Sequence, residues 1–174
     1  MLNMIKNDYL ENIVGAFATA LMSNIESEVS NLGGRSLSHE SALVAIYNHP
    51  NEGIDKLSKV LNLTHSGAVR LVGTLTGEGL LVRRKSPNDA RAAVLCVTEK
   101  GQERAESILK TRSNTISRAL TSFSDQQKKE FLPIIELALS SITQNETEAR
   151  RICRLCNEGV CRSIGCPVEG ATQK

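Results

Sequence analysis

The sequence predicts a mainly α-helical protein with one small β-hairpin. Apolar residues recur at three- and four-residue steps through most of the chain, which is the spacing of an amphipathic helix. Between residues 80 and 97 the pattern changes to the alternation typical of strands. The 174 residues, 40% hydrophobic and 23% charged, fit one ordinary globular domain with a short appendage.

The first half of the chain predicts four helices. The first covers about residues 8–31 and carries one apolar stripe. Ser38 is a candidate N-cap for the second helix, which runs to about residue 48. The third covers residues 54–61, and Thr64 is a candidate N-cap for the fourth. Two short helices joined by so few residues indicate a helix-turn-helix.

A β-hairpin follows the fourth helix. A short apolar run leads into the cations Arg83, Arg84 and Lys85. The turn-forming residues 86–89 separate this run from the alternating residues 93–97. A hairpin directly after a helix-turn-helix has the arrangement of a wing.

Two more helices are predicted after the hairpin. Thr98 is a candidate N-cap for a long helix that ends near residue 121. Ser124 and Gln127 have the spacing of a capping box at the start of the last helix, and Pro133 is expected to kink its first part. The first helix and the last two have more apolar surface than a small winged-helix core can cover. We therefore expect them to pair with a second copy of the chain.

Charge is unevenly distributed along the chain, although the total is only +2. Residues 54–91 contain seven basic and three acidic residues, a net charge of +4, whereas residues 1–53 contain two basic and six acidic ones, a net charge of −4. A basic segment of this kind indicates either a solvated surface or a polyanionic partner. Aromatic residues make up only 3% and Trp is absent, which argues against an aromatic-lined cofactor pocket.

The end of the hairpin contains a specific motif. Asp89, Arg91, Thr98 and Gly101 follow the spacing D-x-R-x6-T-x-x-G. After a helix-turn-helix, this motif resembles the signature of the MarR (multiple antibiotic resistance regulator) family, and the similar order of elements extends over about residues 8–143. The resemblance implies a winged helix-turn-helix domain with N- and C-terminal dimerisation helices. It also implies a homodimer that binds pseudo-palindromic double-stranded DNA, usually as a repressor.

This organisation divides the chain into four segments. Residues 1–36 are expected to form an N-terminal dimerisation helix, and residues 37–101 the winged helix-turn-helix domain. Residues 102–147 are expected to form C-terminal dimerisation helices. Residues 148–174 fall outside the family pattern and form a Cys-rich tail.

The candidate DNA-binding residues come from the fourth helix and the wing. The polar face of the helix is expected to enter the major groove, where the N-terminal residues of such a helix reach base edges. Arg70 can bind guanine or hold a phosphate, and an exposed His65 can equally be only solvated. Arg83, Arg84 and Lys85 are expected to contact phosphates more than bases, and Arg84 can instead brace the wing. The helix contributes Thr64, His65, Ser66, Arg70 and Thr74.

The tip of the hairpin adds Asp89 and Arg91. The resemblance implies that Arg91 enters the minor groove, where a narrow groove concentrates negative potential. Asp89 can pair with Arg91 and hold its guanidinium in position. The simpler alternative is a turn residue followed by an exposed charge at the end of a strand.

Four of the five cysteines lie together in the tail. Cys153, Cys156, Cys161 and Cys166 have the spacing C-x2-C-x4-C-x4-C. Four thiolates suit a tetrahedral Zn²⁺ ion, which is the favoured interpretation. An iron–sulfur cluster, a reversible disulfide and a disordered tail with incidental thiols are the alternatives. Cys96 lies in the alternating second strand, where a small buried side chain is expected.

The sequence thus predicts a dimeric, sequence-specific DNA-binding transcriptional regulator that the metal or redox state of its cysteine tail can tune. The alternatives are a winged-helix protein-interaction module with a zinc knuckle and a thiol-based redox protein. We expect no enzymatic activity, because no Ser–His–Asp grouping, phosphate-binding glycine loop or H-E-x-x-H motif is present.

The expected partners are double-stranded DNA and a second copy of the chain. A small-molecule or redox effector is left open, and no membrane partner is expected. The longest apolar stretch is too short for a bilayer and no signal peptide is evident, so a cytoplasmic location is expected.

Overall fold

The computed structural model describes residues 2–86 and 92–173, with side chains from residue 7 onward. The first eight elements follow one another in the predicted order, and three short helices that the sequence did not predict come after them. The elements are α1 (Leu2–Ser30), α2 (Leu37–Asn48), α3 (Ile54–Leu61), α4 (His65–Gly77), β1 (Leu81–Lys85), β2 (Ala93–Val97), α5 (Glu99–Ala119), α6 (Asp125–Ile142), α7 (Glu146–Ile152), α8 (Glu158–Ile164) and α9 (Pro167–Ala171).

Two helices start elsewhere than predicted. α1 begins at Leu2, earlier than expected, since no Gly or Pro interrupts the first residues. α2 begins at Leu37, with Ser36 as its N-cap, so the prediction of Ser38 as the cap is wrong. Ser36 has the extended backbone of a capping residue (φ −65°, ψ 152°), and its hydroxyl lies 2.8 Å from Nδ1 of His39. Ser38 is already inside the first turn.

The predicted hairpin is present as a two-stranded antiparallel sheet. β1 and β2 pair in the register Leu81 with Val97 through Lys85 with Ala93. The segment before α3 adds a short bridge, because Glu52 and Leu95 pair as in an antiparallel ladder. The Leu95 amide donates to the Glu52 carbonyl at 3.0 Å. The base of the hairpin is therefore attached to the segment that precedes the helix-turn-helix.

The hydrophobic core is centred on α2. Seven consecutive residues of this helix, from Glu40 to Ile46, are buried, as expected for a helix covered on all sides. α2 contacts α1, α3, α4, α5 and β2. The largest completely buried apolar side chains of the core are Val29, Leu43, Val44, Val72, Leu75, Leu81 and Ile108.

A buried carboxylate connects α2 to α5. Glu40 is completely buried, and both of its oxygens accept hydrogen bonds from the guanidinium of Arg104. Nη1 of Arg35 lies 3.7 Å from Glu40, and Arg104 also donates to the carbonyl of Leu32. Charge pairing and hydrogen bonding together make such a buried charge tolerable.

Apolar side chains of α1 and α6 remain uncovered in the single chain. In α1, Leu10 is 60% exposed and Val14 58%. In α6, which continues through Pro133, Ile134 is 63% exposed and Leu137 73%. None of the helices in the described ranges combines the length and apolar character needed to cross a membrane.

The cysteine tail is helical rather than disordered. α7 packs against α3, and α9 packs against α6 and α7. Asn145 caps α7, accepting a hydrogen bond from the Glu148 amide at 3.0 Å. The tail therefore lies against both the helix-turn-helix and the last long helix.

Candidate nucleic-acid interface

A tight turn joins α3 to α4. Asn62 adopts the left-handed conformation (φ 55°, ψ 44°), and the amide of Leu63 donates to the Ser58 carbonyl at 2.9 Å. Thr64 then caps α4 as predicted, since its hydroxyl accepts from the Gly67 amide at 3.1 Å. This local chemistry fixes the direction in which α4 leaves the turn.

α4 has one buried and one exposed face. Ala68, Leu71, Val72 and Leu75 are buried against the core. The five predicted positions are all exposed, and they are Thr64, His65, Ser66, Arg70 and Thr74. The periodicity of the sequence thus correctly separates the inner face of this helix from its outer face.

The exposed polar groups of α4 differ in whether they form hydrogen bonds within the described part of the chain. His65 is not merely solvated, because its Nδ1 lies 2.8 Å from Oδ1 of Asp55. The Thr74 hydroxyl donates to the carbonyl of Arg70 at 3.2 Å. The guanidinium of Arg70 forms no hydrogen bond or ion pair with any residue in the described ranges.

Strand β1 presents three further cations. Arg83, Arg84 and Lys85 are exposed and pair in register with Leu95, Val94 and Ala93. Their side chains form no ion pair or hydrogen bond with other residues that the structure describes. The suggested bracing role of Arg84 therefore finds no partner among those residues.

The predicted minor-groove pair, Asp89 and Arg91, lies outside the described residues. The hairpin is closed just before the tip, where the Ser86 amide donates to the Ala92 carbonyl at 2.9 Å. The roles of Asp89 and Arg91 remain predictions.

The second half of the motif, Thr98 with Gly101, has a structural explanation. The Thr98 hydroxyl accepts from the Gly101 amide at 3.0 Å and donates to the Gly79 carbonyl at 2.7 Å. A Cβ at Gly101 would lie 2.0 Å from the Leu80 carbonyl oxygen, so only glycine fits there. Gly79 adopts a positive φ of 72°, which favours glycine. These contacts hold the start of α5 against the entry to the wing.

The four tail cysteines line one cavity of about 120 Å³, together with His49, Arg150 and Glu158 among others. Cys153 ends α7, Cys156 follows in the next turn, Cys161 lies in α8 and Cys166 caps α9. No three His, Cys, Asp or Glu side chains in the described part of the chain stand ready-made as a metal-binding set.

The thiols of this cavity influence one another. A hydrogen bond from Cys153 lowers the pKa of Cys156 to about 6, and the Arg112 and Arg154 charges act in the same direction, against the effect of burial. The same hydrogen bond, followed by burial, raises the pKa of Cys153 far above its usual value. Burial, then the neighbouring Cys156 and Cys166, raises the pKa of Cys161.

Cys96 is buried in β2, as predicted, and is 7% exposed. Its thiol also donates to Oδ1 of Asn51 at 3.1 Å, which the sequence did not indicate. It lies outside the group of residues that line the tail cavity.

Sequence reasoning missed the ion pairs that connect distant segments, two of which link parts of the fold described above. One is the buried pair of Glu40 and Arg104, 64 residues apart, and the other is Glu52 with Arg150, 98 residues apart. No local pattern marks either pair, because each partner is one of many charged residues and only the fold brings the two together.

Comparison with known proteins supplies independent information. The model of the MarR family matches residues 36–93. The transcriptional repressor MprA of Escherichia coli K12 is 29% identical over 109 residues, which are 62% of this chain and 62% of that protein. The HTH-type transcriptional regulator YdgJ of Bacillus subtilis is 24% identical over 113 residues, or 65% and 69% of the two chains. The chain thus spans somewhat less than two thirds of MprA.

Solved structures share the fold. A MarR family protein from Bacillus stearothermophilus superposes with a TM-score of 0.71 at 21% identity, covering 80% of this chain and 96% of that one. RV1404 from Mycobacterium tuberculosis gives a TM-score of 0.70 at 16% identity, covering 79% and 94%. At such identities the similarity establishes the architecture alone.

Proposed function

We propose that the chain is a sequence-specific DNA-binding transcriptional regulator of the MarR type, since the MarR family model matches residues 36–93 and the repressor MprA is similar in sequence. The observation that carries the proposal is the set of exposed cations on α4 and β1. Arg70 on the helix and Arg83, Arg84 and Lys85 on the strand form no ion pair or hydrogen bond through their side chains within the described ranges. Cations without internal partners keep their full charge for phosphates.

In this proposal α4 enters the major groove. Its outer face offers short hydroxyls at Thr64 and Ser66, followed by the long cation Arg70. Arginine can form a bidentate contact to guanine, whereas the hydroxyls suit either bases or phosphates. The link between His65 and Asp55 leaves Nε2 of the ring as the atom that can face DNA.

The wing contributes mainly electrostatic binding. Residues 83–85 are three consecutive cations on a strand at the surface, where they can reach the backbone beside the groove. Arg91, with Asp89 beside it, remains the candidate for the minor groove. The close packing of Gly101 against Leu80 fixes the wing to the start of α5.

We also propose that the functional unit is a homodimer. The uncovered apolar residues of α1 and α6 lie beside a groove formed by Phe17, Leu21, Ile116, Leu120, Phe131 and Ile135. An apolar surface of this extent is typical of an interface between chains. Two winged-helix units related by a two-fold axis would read half-sites about one helical turn apart.

A repressor role and tuning by the tail complete the proposal. MprA is a transcriptional repressor by name, and a dimer bound across an operator would block transcription sterically. The tail contacts the end of α2 and Glu52, and Glu52 pairs with Leu95 in the wing strand β2, so a change in the cysteine cavity can reach the DNA-binding elements.

Selection from a random duplex library, followed by fluorescence anisotropy on the enriched sequence, tests DNA recognition. We expect a two-fold symmetric site and a loss of affinity of roughly tenfold or more for Arg70→Ala. Lys110→Ala, which removes an exposed charge on α5 outside both elements, is the matched control. The protein-interaction alternative would be favoured if the folded protein selects no DNA sequence and its affinity for DNA does not depend on salt concentration.

A further inference from the structure

The tail is too small to be stabilised by its own apolar core. Its three helices have seven, seven and five residues, and helices of this length are not stable in isolation. Among the described residues of the tail, only Ala149, Leu155 and Val168 are buried apolar side chains. Small units of this kind usually depend on a covalent or metal cross-link.

The cysteines stand where such a cross-link would act. They lie at the end of α7, in the following turn, within α8 and at the cap of α9, so one bound ion would connect all three helices. The turn from Cys153 to Cys156 is closed by a hydrogen bond, because the Cys156 backbone amide donates to the Cys153 carbonyl at 2.7 Å. The same fold places the four side chains around one cavity.

The proximity of the thiols fits a single metal ion better than a cluster. The four cysteine side chains line one small cavity, and Cys153 interacts with both Cys156 and Cys166. In a tetrahedral zinc–thiolate site with bonds of about 2.3 Å, neighbouring sulfurs lie about 3.8 Å apart, which is close to a thiol–thiol contact. In a four-iron cluster each thiolate binds a different iron, so the sulfurs must stand farther apart.

The surroundings suit an anionic zinc–thiolate centre. Four thiolates and Zn²⁺ carry a net charge of −2. The guanidinium of Arg112 lies 3.7 Å from the Cys156 sulfur, and Arg150 and Arg162 line the cavity. Glu158, the nearby carboxylate, is neutralised by Arg162 at 2.6 Å and bound by His49 at 2.9 Å.

We propose that Cys153, Cys156, Cys161 and Cys166 bind one Zn²⁺ ion that locks the tail onto the end of α2. Each cysteine that is protonated before binding releases one proton as its thiolate coordinates the ion, and no oxidation or reduction takes place. Among the described residues the four cysteines line one cavity without standing as a ready-made ligand set, so zinc binding requires side-chain movements that bring the four sulfurs onto the ion.

The lock acts through two contacts of the end of α2. Nδ2 of the Asn48 side chain donates to the Cys156 carbonyl at 3.0 Å, and His49 binds Glu158 in the first turn of α8. This inference deepens the proposed tuning of DNA binding by the tail. Metal content is measured without DNA, so failure of the zinc site can be distinguished from failure of DNA recognition.

The test is metal analysis of the full-length protein purified without oxygen. We expect one zinc per chain, a colourless spectrum and no accessible thiols in the tail. Exchange with Co²⁺ should give the intense visible bands of a tetrahedral thiolate site. The single variants Cys153→Ser, Cys156→Ser, Cys161→Ser and Cys166→Ser should each lose at least about nine tenths of the metal, while Cys96→Ala keeps it.

Several results would overturn the zinc site. Brown protein with several irons and inorganic sulfide per chain would indicate a cluster instead. Wild-type protein that binds neither Zn²⁺ nor Co²⁺ with its thiols reduced would exclude a metal site. Full zinc retention in all four serine variants would place the metal elsewhere. If the serine variants precipitate, wild-type apoprotein is titrated with Zn²⁺ and the released protons are counted. A release of fewer than two protons per bound ion would contradict coordination by these four thiols.

Discussion

The guanidinium of Arg150 donates two hydrogen bonds to the carboxylate of Glu52, at 3.0 and 2.6 Å. The same Glu52 pairs through its backbone with Leu95 in the second strand of the wing. One residue therefore joins the cysteine tail to the base of the hairpin. This connection gives the tail a direct mechanical route to an element that is proposed to contact DNA.

Loss of this pair should destabilise the fold. Arg150→Ala removes both hydrogen bonds from a guanidinium that is only 12% exposed, and we expect a decrease in the free energy of unfolding of about 2 kcal/mol. Urea denaturation followed by circular dichroism measures it. Lys56→Ala, which removes the half-exposed second partner of Glu52, should cost less than about 1 kcal/mol. Equal effects of the two changes would contradict the special role of Arg150.

The contribution of Glu52 should depend on pH. Burial alone would raise the pKa of Glu52, but hydrogen bonds and charges from Arg150 and Lys56 lower it below its usual value of 4.5. The stabilisation from a carboxylate with a lowered pKa is complete above the unfolded-state value and is lost as the pH falls through the folded-state value. The stability difference between wild type and Glu52→Gln should be constant near neutral pH and shrink below pH 4.5. A difference that grows on acidification would contradict this.

Gly101→Ala should disrupt the junction between wing and α5. The added methyl group would lie 2.0 Å from the Leu80 carbonyl oxygen, which is backbone and cannot rotate away. We expect a loss of at least about 2 kcal/mol in the free energy of unfolding, measured by thermal or urea denaturation. Gly73→Ala is the matched control, since an added Cβ meets nothing within 4 Å there and alanine favours the helix. If Gly101→Ala leaves the free energy of unfolding unchanged, the backbone at this junction can shift to accommodate the methyl group, which would contradict the prediction.

Charges placed on the uncovered apolar surface should separate the proposed dimer. Ile13→Glu on α1 and Leu137→Glu on α6 change residues that are 49% and 73% exposed in the single chain, so the core stays intact. We expect sedimentation to show monomer and DNA affinity to fall by roughly a hundredfold or more, because two linked half-sites are no longer bound together.

Ile164→Glu controls for the dimer experiment, since Ile164 is 81% exposed but belongs to the tail helix α8. It should leave the dimer intact. A wild-type protein that sediments as a monomer at micromolar concentration would contradict the proposed assembly.

The wing cations should determine the salt dependence of DNA binding. Each phosphate contact releases condensed counterions, so removing one contact lowers the slope of log K against log salt by about 0.9. We expect this change from Arg83→Ala and again from Lys85→Ala, with sequence preference unchanged, in anisotropy titrations over a range of salt concentrations. A slope that stays at the wild-type value in the double variant would exclude phosphate contacts by these residues.

Local chemistry explains why much of this architecture can be predicted. The caps at Thr64, Thr98 and Ser124 each act over three residues, and all three are confirmed by hydrogen bonds to the amides of the third residue along. The outer face of α4 follows from helical spacing. The N-cap of α2 was predicted wrongly, because Ser36 and Ser38 both have a suitable side chain. Only the backbone conformation selects Ser36.

The sequence alone determined the order of helices and hairpin, the outward-facing polar positions of α4 and the grouping of four cysteines, since these depend on neighbours a few residues away. Only the tertiary structure decided that Glu40 is buried with Arg104, that Glu52 meets Arg150, and that the four thiols line one cavity against the end of α2. The physical reason is that burial and charge pairing between residues distant in the chain depend on how the helices pack, and local spacing contains no record of that packing.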